Sequence, residues 1–152
     1  TWCLQKWGFS VNLLMAISGD ERAGQSFLFH KCYTEGGTDL FHFFTFMRDL
    51  CDWLTTFRAG RHFIFTMDNL NIHKHPIIIN LIYTRGHRVV FRAPYWSCDG
   101  PIEYVFNTLQ TRLSSDFIGV DNELALSNKI DTIIGSIPSY KKYFLHVGFP
   151  DN

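Results

Sequence analysis

Apolar positions change period several times along the chain, and each change marks a different element. Val11 to Ser18 (VNLLMAIS) and Ser26 to Tyr33 (SFLFHKCY) are short apolar and aromatic runs separated by the polar stretch Gly19 to Gln25. Two such runs around a turn-forming segment predict the strands of an antiparallel hairpin with a long connection. After the break at Glu35-Gly36-Gly37, the residues Leu40, Phe43, Phe44, Met47, Leu50, Cys51, Leu54 and Phe57 recur at three- and four-residue steps. That period predicts a helix from a cap at Thr38 or Asp39 to about Arg58, with this stripe as its core face and Gly60 as its stop.

Arg61 to Met67 returns to a short apolar run, which ends at Asp68-Asn69. It reads as a buried strand, and Arg88-Val89-Val90-Phe91 reads as a second. Between them, Pro76 to Tyr83 is a helix opened by proline and stopped at Gly86. Strand, helix and strand in this order form a βαβ unit, so the two strands are expected to be parallel. Pro94 to Gly100 is a loop, and Pro101 opens a helix to about Ser114, with Gly100 as N-cap. Its inward residues are Ile102, Val105, Phe106, Leu109 and Leu113. After a loop from Ser115 to Asn122, Leu124, Leu126, Ile130, Ile133, Ile134 and Ile137 mark a helix from Glu123 to about Ser136, ended by Pro138. Tyr140 to His146 is a further short helix. Thr1 to Ser10, with Trp2 and Trp7 in a mixed context, fits no single element.

The class is therefore α/β, with a mixed sheet flanked by helices. A length of 152 residues fits one domain, and 46% hydrophobic residues, including 15 Phe, provide ample core material. Fourteen basic and fourteen acidic side chains cancel. The chain as a whole is thus no general polyanion-binding surface, although a local basic groove is compatible with it. Cys3, Cys32, Cys51 and Cys98 show no paired spacing and read as reduced intracellular thiols. No apolar run reaches membrane-spanning length, and no signal peptide is visible, so no membrane partner is expected.

The candidate chemistry lies at Asp68 and Glu103. Asp68 is the first polar group past the carboxyl end of its strand, where open α/β sheets place their sites. Glu103 stands in the first turn of the helix after the second strand, with 34 residues between the two acids. Carboxylates converging at strand ends suit a hard divalent cation. Both acids also have purely structural explanations, since Asp favours turns and Glu complements the positive end of a helix. Spacing alone favours those.

The residues around the acids add to this. Met67-Asp68-Asn69-Leu70-Asn71-Ile72-His73 resembles the second-acid motif of the mariner-type DDE transposases. Pro94-Tyr95-Trp96-Ser97-Cys98-Asp99-Gly100-Pro101-Ile102-Glu103-Tyr104-Val105-Phe106 resembles their third-acid motif, in which Pro-Tyr precedes Asn-Pro-Ile-Glu. The spacing of the acids, Arg85-Gly86-His87-Arg88 and Ala16-Ile17-Ser18-Gly19-Asp20 are similar to the family as well. The likeness runs from about Val11 to about Phe149. It implies a ribonuclease-H-like, retroviral-integrase-like catalytic domain lacking its first strand, hence an N-terminally truncated DDE domain over residues 1–152. It further implies that Asp68 and Glu103 are catalytic and metal-binding, and that two Mg²⁺ (or Mn²⁺) ions serve the complete site. The implied activity is DNA endonuclease and strand transfer on transposon ends and target DNA, by a homodimer, in the nucleus of a eukaryotic host. Three departures stand out. No Asp or Glu precedes Asp20, so the first acid is absent; Gly100 replaces Asn; and Trp96-Ser97 replaces Ser-Pro. With two of three acids, an alternative is a non-catalytic nucleic-acid-binding or interaction remnant of a transposase, and another is a different ribonuclease-H-like nuclease.

Other residues carry competing readings. His73 fits a supporting role beside Asp68 and equally a plain turn, and no Cys or His cluster completes a zinc site with His73 and His75. Asn69 orients the acid or a phosphate, or simply shapes the turn. Tyr95 and Trp96 serve base stacking or, more simply, loop packing. Lys141 and Lys142 suit a DNA backbone or a solvated face. Asp20 reads as a turn residue, and Cys98 as inert.

Overall fold

The computed structural model describes residues 2–6, 9–19, 27–34, 38–93, 100–115 and 120–149. The protein is mixed α/β, with strands β1 (Trp2–Lys6), β2 (Phe9–Ser18) and β3 (Phe27–Tyr33), helix α1 (Leu40–Phe57), strand β4 (Ile64–Met67), helix α2 (Pro76–Thr84), strand β5 (Arg88–Phe91), and helices α3 (Pro101–Ser115), α4 (Glu123–Gly135) and α5 (Lys141–His146). The chain divides into two compact units, one of residues 38–97 and one of residues 1–37 with 98–152. Asp20, Tyr95, Trp96 and Cys98 lie outside the described residues.

In the unit of residues 38–97, α1 begins where the sequence signals it. Asp39 accepts a hydrogen bond from the His42 amide at 2.9 Å, which satisfies one of the free amides of the first turn. Its buried face is Phe43, Phe46, Met47, Leu50, Cys51 and Leu54. Phe46 thus replaces Phe44 of the expected stripe, and Phe57 is 59% exposed because it is the last residue of the helix. Helix α2 packs against α1 and against β5 and buries Ile78 and Ile82.

Strands β4 and β5 are parallel, paired from Ile64↔Arg88 to Met67↔Phe91, as the strand-helix-strand pattern requires. Burial differs from expectation. Phe65, Met67, Val89 and Phe91 are half-buried, whereas Ile64, Thr66, Arg88 and Val90 are exposed. A two-stranded sheet has two faces and only the alternate residues of each strand share one, so the open face leaves Ile64 68% exposed.

Gly86 closes the crossover at φ 81°, a left-handed conformation that glycine adopts without strain. His87 then turns inward. Its ring is edge-on to Phe63 and Phe65, and its Nδ1 accepts a hydrogen bond from the Phe63 amide at 3.2 Å. An accepting Nδ1 requires the neutral ring, and burial pushes the His87 pKa below its ordinary value.

In the other unit, β1, β2 and β3 form an antiparallel sheet in that order, with Trp2↔Leu13 and Lys6↔Phe9 on one side of β2 and Ser18↔Phe27 on the other. Trp2–Lys6, within the opening stretch that the sequence pattern assigns to no element, is thus a strand. Five residues suffice when they need only pair with one edge of a ten-residue strand. Val11, Leu13 and Met15 alternate into a core with Val105, Leu109 and Leu113 of α3 and Leu126, Ile130, Ile133 and Ile134 of α4. Asn12 and Leu14 are buried too, so β2 has the near-continuous burial its apolar run suggests. Helix α4 is capped by Asn122, which accepts from the Ala125 amide at 2.8 Å. Leu124, one of the apolar positions that mark this helix, is 66% exposed in its first turn. A Cβ at Gly19 would run into the Phe144 ring of α5, so glycine permits the close approach of that helix to the end of β2.

His87 sets an acid limit on the unit of residues 38–97. Its depressed pKa means the unfolded chain binds the extra proton more readily, so stability is lost as pH falls below about 6.5, through the folded value. Urea midpoints compared at about pH 7.5 and about pH 5 are expected to fall less for His87→Gln, which keeps an acceptor and does not titrate. An equal fall in both proteins would contradict this role.

Candidate functional site

Asp68 is the residue at which the chain leaves β4. The segment after it turns back at once, with the Lys74 amide bonded to the Leu70 carbonyl at 3.2 Å and the His75 amide to the Ile72 carbonyl at 3.3 Å. That turn carries His73 over Asp68. The His73 Nδ1 lies 2.5 Å from the Asp68 Oδ1 and 3.4 Å from the Asp68 main-chain oxygen. Oδ1 is buried and lacks a well-aligned donor. The ring nitrogen is thus shared between two oxygens of one residue. His73 is itself buried, its ring tilted against Phe43 of α1 at 4.5 Å. A packed ring keeps its orientation, so His73 holds Asp68 in one position.

The Asp68 side chain remains 44% exposed. Contact with His73 holds its carboxyl below the usual carboxylate range, and partial burial opposes that shift without cancelling it. Asp68 is thus ionised and accessible to water. Asn69 is half-buried beside it. His75 serves the backbone instead. Its Nδ1 accepts from the Ile77 amide at 3.3 Å and caps α2 just before Pro76. The sequence signals of a helix start are there, but they point to Pro76 and pass over His75, because histidine is not among the usual capping residues.

Glu103 lies in the other unit. It is half-buried in the first turn of α3, and its amide donates to the Gly100 carbonyl at 3.1 Å, which places Gly100 at the helix entry. An acid in that turn is favoured by the helix dipole. Of the expected site residues, the structure therefore brings His73 onto Asp68 and sets Asn69 next to them.

Carboxylate oxygens at Asp68 and Glu103 are hard donors suited to Mg²⁺ or Mn²⁺, which keep much of their water when bound. Asp68, ionised and accessible, fits such an ion as one ligand, and His73 fits the outer partner that orients a ligating carboxylate. Among the described residues no three His, Cys, Asp or Glu side chains are grouped to hold a metal. Cys32 and Cys51 are free thiols, each pushed up to about 11, chiefly by burial, and are unreactive by that measure. No described helix is long and apolar enough to cross a membrane.

No protein-family model matches the chain, and no curated protein matches it.

His73→Ala is expected to return the Asp68 pKa toward the ordinary carboxyl value of about 3.9, read by carboxyl-carbon NMR titration. Because the folded pKa is depressed, the stability this contact adds is complete above that value and is lost as pH falls through the folded one. An unchanged Asp68 titration in the variant would show that His73 does not hold the carboxylate.

Proposed function

We propose that the chain is catalytic-domain material of a mariner-type DDE DNA transposase, a metal-dependent endonuclease and strand transferase with a ribonuclease-H-like sheet. The observation that supports this best is Asp68 itself. It is an ionised carboxylate at the carboxyl end of a parallel strand in a βαβ unit, held by a buried histidine that the same motif supplies. Asp68 and Glu103 serve as the second and third metal-binding carboxylates, with Asn69 and His73 in support. These carboxylates would hold Mg²⁺ or Mn²⁺, which would supply positive charge for phosphodiester cleavage. The chain's own contribution is to keep Asp68 charged and fixed, through the His73 contact and the packing of that ring on Phe43. DNA is the substrate, as transposon end and as target, acted on by a homodimer.

A second reading is a nucleic-acid-binding remnant without catalysis. It calls on neither a third acid nor a bound metal ion.

The deciding experiment is cleavage of duplex DNA with Mg²⁺ or Mn²⁺, by this chain and by a form extended upstream along its coding sequence. The enzyme reading expects the extended form to cut, both Asp68→Ala and Glu103→Ala to abolish cutting, and His73→Ala to slow it by about 10- to 100-fold. A folded extended form that is inert with either ion would leave the remnant as the better account.

A further inference from the structure

Helix α3 has a second face. Its core side is Val105, Leu109 and Leu113, but Tyr104, Thr108 and Arg112 lie on a different stripe and line a groove of about 550 Å³ with Lys142, Tyr143 and His146 of α5. We infer that this groove binds the phosphodiester backbone of a nucleic-acid strand.

The groove has the required charge. Arg112 and Lys142 are cationic side chains, His146 adds a third nitrogen base, and among the described residues no Asp or Glu lines the groove. In a chain of zero net charge, this is a local excess that the overall balance hides. The cations are also positioned. The Arg112 Nη1 donates to the Ser136 Oγ at 2.6 Å, which anchors the guanidinium at the groove. The Lys142 Nζ sits 4.9 Å from the centre of the Tyr143 ring, and the Tyr143 hydroxyl donates to the Thr108 Oγ1 at 3.1 Å, tying α5 to α3. Tyr104 meets His146 edge-to-face at 4.4 Å at the other end. Cationic grooves with aromatic rings are the pattern of strand-tracking surfaces.

Length favours a polymer over a single small anion. From Tyr104 to Arg112 the helix advances about 12 Å, against about 3.4 Å along the axis per nucleotide of one duplex strand. Asn107, also at the groove, stands one helical turn after Glu103. A strand lying there runs toward the turn that carries the proposed metal-binding acid. The inference rests on the proposed function only for the identity of the strand as DNA.

The test is fluorescence anisotropy of a labelled single-stranded DNA oligonucleotide with the whole chain, in EDTA, over a salt series. EDTA separates binding from catalysis, so an inert enzyme does not affect the result. The wild type is expected to bind, with affinity falling as salt rises. The double variant Arg112→Gln/Lys142→Gln is expected to bind at least about tenfold more weakly and to flatten the log–log salt slope by about 1.4, from about 0.7 per lost phosphate contact. Arg61→Gln, an exposed basic position in the other unit, is expected to leave both unchanged. No binding by the wild type at low salt would overturn the inference. So would a double variant with native circular dichroism and wild-type affinity and slope.

Discussion

The parallel pairing of β4 with β5 is the constraint on which the candidate chemistry depends. Parallel neighbours cannot be joined by a tight turn, so the chain must cross over, and α2 is that crossover. The crossover buries Ile78 and Ile82 and packs on α1, whose apolar face runs from Phe43 to Leu54. Its return is closed by Gly86 and locked by the His87 ring on the Phe63 amide. With the register so held, Met67 is the last paired residue of β4, and Asp68 emerges at the carboxyl end. The same α1 face that supports the crossover supplies Phe43, against which His73 is packed. Position and charge of Asp68 thus follow from one packed unit.

The other unit is organised differently. Its centre is β2, paired on both edges and buried on both faces, with α3 and α4 covering the side that carries Val11, Leu13 and Met15. Helix α3 is amphipathic in a useful way. Its apolar stripe anchors it, its first turn holds Glu103 where the helix dipole favours an acid, and a separate stripe faces the basic groove. Helix position, acid and groove are therefore consequences of one packed face.

Much of this was legible in the sequence because the signals are local. Asp39 as a cap, Pro76 and Pro101 as helix starts, the four-residue run of β5 and the strand-helix-strand order all depend on residues close in the chain. Strand β1 was not legible, because Trp2-Cys3-Leu4-Gln5-Lys6 has no alternation of its own and is defined only by pairing with β2. Burial of Phe46 in place of Phe44, and exposure of Ile64, depend on what covers each face, which periodicity does not encode. At the site, the two motifs point to Asp68 and Glu103, and the His73 contact follows from a turn whose closure needs the Phe43 surface of another helix. The groove has no motif at all: Arg112 and Lys142 are far apart in sequence, and only the packing of α5 on α3 brings them to one cavity.

The proposed function stands or falls on whether the Asp68 carboxylate binds a divalent cation. Titration of isotope-labelled protein with Mn²⁺, followed by paramagnetic broadening of the backbone amide signals, decides it. The account predicts that the signals of Asp68 to Leu70 broaden at low Mn²⁺ concentration, that excess Mg²⁺ reverses this, and that Asp68→Ala removes it. No broadening at Asp68, or broadening spread equally over exposed carboxylates such as Asp121 and Asp131, would contradict it.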